Sequence, residues 1–157
     1  MDPEIRRRGP FRVLGVVARF SRGSESPELF GKIWKTFEIH HAGIKGCSTD
    51  RCYYGATYPG ATAGEMEYLA GMAVLDDTPA PEGIEARTIP AGEYAVFACE
   101  VSAIGETYRY IFADWFPGSG FEVRPAAVSF EQYPPEGEGA EVLIHIPVRR
   151  PEEGKAV

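Results

Sequence analysis

YAVFACEVSAIGETYRYIFADWF (Tyr94–Phe116) changes its apolar period halfway along, and that change decides the fold. Its first part, Tyr94–Val101, is a run of β-branched, aromatic and small residues entered from the turn Pro90-Ala91-Gly92, which reads as a strand. From about Glu106 to Phe116 the period lengthens. Tyr108, Ile111, Phe112 and Trp115 fall on one helical face, and Pro117 and Gly118 end it.

The same order occurs upstream. Phe11–Phe20 (FRVLGVVARF) reads as a strand between Pro10 and the polar turn Ser21–Ser26. Ser26 can then cap a helix with Pro27 in its first turn, and Leu29, Phe30, Ile33, Trp34 and Phe37 mark its apolar face up to Gly43 and Gly46. Two strands follow each helix: Arg51–Tyr58 and Met66–Leu75 in the first half, Val128–Tyr133 and Glu141–Val148 in the second. Asp76–Gly83 (DDTPAPEG) is a linker, and Ile84–Ile89 leads into the second half. Val13 thus corresponds to Tyr94, Tyr54 to about Phe130, and Leu69 to Leu143.

The expectation is one α+β domain over 1–157, a duplicated β-α-β-β unit with halves at about 10–75 and 84–148. Such a unit forms an antiparallel sheet with two helices on one side about a pseudo-twofold axis. The opposite, concave side and the junction between halves are then free to form a cleft. The charged tail after Pro147 reads as frayed.

Composition narrows the function. The formal charge is 16 − 23 = −7, a field that repels nucleic-acid phosphates. Arg6-Arg7-Arg8 is the one basic cluster, and an exposed, solubilising terminus accounts for it. No apolar run approaches the roughly 18 residues of a membrane span, and Met1-Asp2-Pro3-Glu4 lacks a secretory profile. Three cysteines, Cys47, Cys52 and Cys99, suit free thiols in a reducing, cytoplasmic setting. His40-His41 with Cys47 and Cys52 do not have zinc-ligand spacing, so neither metal nor cofactor is expected. His145 alternates with Ile144 and Ile146 and so faces away from them, toward the cleft or as a satisfied sheet histidine. No nucleophile elbow or phosphate-binding glycine loop is present.

Nine Phe, eight Tyr and two Trp supply surfaces that are apolar and, in part, hydrogen-bonding. Within VSFEQY (Val128–Tyr133), alternation puts Ser129, Glu131 and Tyr133 on one face and Val128, Phe130 and Gln132 on the other. Glu131 is the informative residue, because acids are disfavoured inside strands. Patterning leaves it either an exposed acid on a wet sheet face or a carboxylate pointing into the cleft beside Tyr133. Helical spacing gives Trp34 and Trp115 to core packing.

The segments TIPAGEYAVF (Thr88–Phe97), ETYRYIFADWFPGSGF (Glu106–Phe121), FEQY (Phe130–Tyr133) and EVLIHIPV (Glu141–Val148) resemble the GyrI-like small-molecule-binding family, the effector-binding domain of AraC- and MerR-type multidrug regulators. YYGATY (Tyr53–Tyr58) and EYLAGMAV (Glu67–Val74) are similar to its first-half strands. The resemblance implies the same duplicated fold, with an acidic residue of the second-to-last strand on the floor of an aromatic pocket. Glu131 matches that position, Tyr54 the tyrosine before Gly-Ala, Tyr68 the aromatic of the next strand, and Tyr108 lies near a pocket aromatic of the second helix.

Aromatic faces and a desolvated carboxylate both favour a cation, so the implied ligand is a small lipophilic one. The regulators of this family also carry a helix-turn-helix, for which 157 residues leave no room, so a stand-alone receptor is expected. Some members hydrolyse cyclopropane-bearing alkylating toxins. That alternative makes Glu131 a general base and a neighbouring tyrosine the acid. A third reading is an interaction domain with a vestigial cleft. No protein partner, gyrase included, is identifiable from these residues.

Overall fold

The computed structural model describes residues 2–125 and 127–151. The strands are β1 (Glu4–Arg8), β2 (Phe11–Ser21), β3 (Tyr53–Pro59), β4 (Glu65–Val74), β5 (Glu85–Ile89), β6 (Gly92–Glu100), β7 (Glu122–Val123), β8 (Ser129–Tyr133) and β9 (Glu141–Arg149). They form an antiparallel sheet in the order β1-β6-β9-β8-β3-β4-β2-β5, with β7 paired to the end of β9. The fold is therefore α+β.

Helix α1 (Pro27–Lys45) starts as expected. Ser26 is extended, and its hydroxyl accepts from Leu29 N at 3.1 Å. The second helical segment starts earlier than its periodicity suggests. A 3₁₀ turn (Val101–Ala103) leads into α2 (Ile104–Tyr110). A π turn over Ile111–Trp115, closed by Phe116 N–H on the Ile111 carbonyl, passes into α3 (Phe116–Ser119). Phe112 departs from the expected face: the widened turn leaves it exposed and stacked on Phe116, with centroids 5.5 Å apart.

Two short links determine the shape of the sheet. β1 lies at one edge and β2 beside the other, yet Gly9-Pro10 alone joins them; Pro90-Ala91 likewise joins β5 to β6. Three Cα steps span at most about 11 Å, so the sheet must curl until its ends approach. Gly15 and Gly71 face each other in the β2–β4 ladder on the inner side. A Cβ on Gly15 would lie 2.7 Å from the Gly71 Cα, so both must be glycine for the strands to close in.

Curling encloses one core. Val13, Tyr54, Ala56, Leu69, Ile89, Tyr94, Val96 and Phe130 form a buried cluster on the inner face, and Phe11 packs on Tyr54 and Phe130 at 5.3 and 5.7 Å. The outer face carries the helices. There α1 covers Leu14, Tyr68, Ala70 and Met72, while α2 and its extension cover Ala95, Phe97, Ile144 and Ile146.

Three expectations need correcting. The side opposite the helices is filled by the buried cluster around Tyr54, Tyr94 and Phe130, and the described cavity beside Glu131 lies on the helix-bearing side instead. The Arg6-Arg7-Arg8 terminus belongs to edge strand β1, which is paired with β6, and Arg8 stands over the Phe11 and Phe130 rings at 4.7 and 5.6 Å. Strand β9 continues to Arg149, because its end pairs with β7 and Arg149 Nε donates to Glu122 at 2.6 Å. The remainder of the tail read as frayed, 152–157, lies outside the described residues.

Candidate functional site

The site lies on the outer face, where β8 meets β3 under the gap between α1 and α2. The β3–β8 register pairs Tyr53 with Tyr133, Gly55 with Glu131 and Thr57 with Ser129, and Thr57 pairs onward with Tyr68 of β4. All these residues point outward, as the alternation requires.

Glu131 is 7% exposed, which excludes the wet-face reading. Three tyrosine hydroxyls donate to it. Tyr108 comes down from α2 onto Oε2; Tyr68 reaches over β3 to Oε1 at 3.4 Å; Tyr133, two residues along β8, reaches Oε1 at 3.5 Å. Tyr68 can cross because Gly55 lies beneath it: a Cβ there would collide with the hydroxyl and lie 3.0 Å from Glu131 Oε1. The indole of Trp34 donates in turn to the Tyr68 oxygen at 3.3 Å.

Burial pushes the Glu131 carboxyl up to about 7, and the three tyrosine hydrogen bonds hold it from rising further. Burial, and then the adjacent carboxylate, raise Tyr68 and Tyr108 well above the ordinary phenol and raise Tyr133 as well. The phenols therefore keep their protons and act as donors. No lysine or arginine among the described residues forms an ion pair with Glu131.

Above the carboxyl is a cavity of about 560 Å³, walled by Phe20, Phe30, Trp34, Tyr68, Tyr108 and Ile104, with Glu25 at its margin. That volume suits a small organic molecule. Phe30 meets Tyr68 edge-on at 4.7 Å, and Trp34 meets Tyr133 edge-on at 5.6 Å.

Of the five residues singled out in the sequence, the structure brings together Glu131, Tyr68, Tyr108 and Tyr133. Tyr54 does not join them. It points into the inner core, fully buried, and donates its hydroxyl to Asp50 Oδ2 at 2.5 Å. Trp34, Phe30 and Gly55 line the site without having been singled out for it. The available signals were an indole N–H, which needs a partner when buried, and a glycine alone within a strand, which marks close approach. Trp115 packs on Phe97 at 5.2 Å within the α2 core.

His145 also turns inward rather than toward the cleft. It is fully buried and stacked on Phe130 at 4.1 Å. Its Nδ1–H donates to the Leu143 carbonyl at 3.0 Å, which leaves Nε2 to accept from Arg8 Nη1 at 3.4 Å. Burial drives it down to about 3, so it is neutral. His41 Nε2 is hydrogen-bonded to the Tyr53 hydroxyl at 3.0 Å, whereas the buried Cys52 Sγ accepts from Gln132 Nε2 at 3.5 Å. Among the described residues no group of histidine, cysteine and acid gathers around a metal position. Nor is any described helix long and apolar enough to cross a membrane.

Comparison with known proteins identifies the family and the fold. Residues 1–149 match the family model described as the GyrI-like small molecule binding domain. The transcriptional regulator BrlR of Pseudomonas aeruginosa is 31% identical over 94% of the chain; the chain spans 56% of that regulator's length. The solved structure of SAV2435 bound to tetraphenylphosphonium superposes with a TM-score of 0.79 at 15% identity, covering 95% of this chain and 94% of that one. An integron cassette protein from the mobile metagenome of Vibrio cholerae gives 0.67 at 21% identity, covering 94% and 96%. Both structural likenesses concern the fold.

Proposed function

The chain belongs to the GyrI-like small-molecule-binding domain family, and on that premise we propose that it is a receptor for a small lipophilic cation with Glu131 as the counter-ion. One observation carries the reading: Glu131 is buried among aromatic rings and takes hydrogen bonds from three tyrosines, and no lysine or arginine among the described residues forms an ion pair with it. A carboxylate so placed loses its hydration, and a bound cation restores the missing charge. The rings around it offer negative faces to the same charge and apolar area to the rest of the ligand. SAV2435, which shares the fold, was solved with such a cation.

In this reading Tyr68, Tyr108 and Tyr133 orient the carboxylate and Trp34 and Phe30 wall the ligand; Tyr54 braces β3 from behind. Residues 1–157 act as one domain of two β-α-β-β units. The strand order supports that unit, since β6-β9-β8 and β3-β4-β2 mirror one another across the β8–β3 junction.

The direct test is calorimetric titration with tetraphenylphosphonium. Saturable one-to-one binding is expected, weakened roughly 10–100-fold by Glu131→Gln. No saturable binding by the natural sequence would sink the reading.

The hydrolytic alternative draws on one feature of the same carboxyl, its titration near 7, where a general base is useful. The two readings separate on turnover: incubation with a cyclopropane-bearing alkylator, followed by mass spectrometry, leaves a receptor's ligand unchanged.

A further inference from the structure

A second hollow, about 680 Å³, adjoins the Glu131 cavity, and Trp34 and Tyr133 belong to the walls of both. These two rings, edge to face and each half-buried, form a partition whose outer edges remain accessible. Phe37 and Tyr53 extend the aromatic walls beyond it. Glu38 of α1 and Glu136 of the β8–β9 link stand at its rim. Neither has an ion-pair partner among the described residues, whereas Glu67, Glu85, Glu122 and Glu138 are each bridged to an arginine. Among the described residues no lysine or arginine lines the hollow; His41 does, with its Nε2 hydrogen-bonded to the Tyr53 hydroxyl at 3.0 Å.

We propose that this hollow is a second cation subsite, so that the protein accepts elongated ligands with two cationic groups joined by an apolar linker. The inference rests on the Glu131 reading and extends it. One cationic head sits on Glu131. The linker runs over the exposed edges of Trp34 and Tyr133, and the other head lies against the faces of Trp34, Tyr53 and Tyr133. Flat cations bind such faces, and the two unpaired carboxylates balance the charge. Tethering makes the second contact effectively intramolecular, so even a modest subsite adds measurable affinity.

The test uses dequalinium, in which a decamethylene chain joins two aromatic cations, its single-headed decyl analogue, and tetraphenylphosphonium. Each is titrated into the natural sequence and into Glu38→Gln/Glu136→Gln. Both glutamates are exposed, so the double variant should melt as the natural sequence does. The double-headed compound is expected to bind at least about 10-fold more tightly than its single-headed half, and to lose most of that advantage in the double variant. The single-headed compounds should bind both proteins equally. The proposal is overturned if two heads bind no better than one beyond the statistical factor of about two. It is equally overturned if the advantage survives in the double variant. Tetraphenylphosphonium separates the two failures. If it binds in a Glu131-dependent way, only the second subsite falls; if nothing binds, both readings fall together.

Discussion

Gly55 lies directly across the β3–β8 ladder from Glu131, and the space its missing side chain leaves is filled by the Tyr68 hydroxyl on its way to the carboxyl. Gly55→Ala is therefore expected to act on the site through Tyr68. The added methyl must push the phenol aside, at a cost of about 1–3 kcal/mol, and weaken tetraphenylphosphonium binding roughly 10-fold. Thermal melting and calorimetric titration check both effects. Unchanged affinity would show that the Tyr68 bond does not shape the site.

Glu131→Gln should stabilise the protein at high pH. The carboxyl titrates at about 7 in the folded chain against an ordinary value of 4.5, so the folded state binds its proton more tightly than the unfolded state. That stability is fully present below 4.5 and is lost as pH rises through 7, a loss on the order of 3 kcal/mol. The variant cannot titrate there. Its melting temperature relative to the natural sequence should rise between pH 5 and pH 8 and then level off, and an unvarying difference would contradict the burial argument.

Cation binding should follow the same proton with opposite sense. A cation prefers the ionised carboxylate, so affinity should climb by up to about tenfold per pH unit below 7 and level off above it, with release of one proton. Tyr108→Phe removes a bond that lowers the Glu131 value. In that variant the midpoint should move to higher pH, while Glu131→Gln should show no midpoint. Titrations from pH 5.5 to 9 in two buffers of different ionisation enthalpy read both the midpoint and the proton.

His145 sets the acid limit from the other side of the sheet. It titrates at about 3 when folded, against 6.5, so the unfolded chain takes up its proton first. The stability it confers is present above 6.5 and is lost as pH falls toward 3. Between 4.5 and 6.5 this loss runs against the gain from protonating Glu131, and the natural sequence should show a nearly flat stability profile there. His145→Phe keeps a ring against Phe130 and removes the titration. Its chemical denaturation midpoint should then rise as pH falls across that window, and a profile parallel to the natural one would refute the assignment.

Much of this was legible in the chain because periodicity is a local property. The 2-residue and 3.6-residue alternations located α1 and all the main strands to within a few residues, and Ser26 announced the start of its helix. Alternation in VSFEQY put Glu131 and Tyr133 on one face, and the family resemblance added Tyr68 and Tyr108. β1 went unread because three arginines look like solvent-exposed chain, and only the free edge of β6 makes them a strand.

Which face of the sheet would be open was not written in any segment. Two-residue links between distant strands curl the sheet and seal the side that holds Tyr54 and His145, which leaves the helix-bearing side to form the cavity. The sequence by itself determined the main elements, the common face of Ser129, Glu131 and Tyr133, and the supply of aromatic rings. The tertiary structure alone decided that Tyr68 and Tyr108, 63 and 23 residues away in the chain, join Tyr133 at that carboxyl while no described arginine pairs with it, since only the strand order and the placing of α2 bring them there.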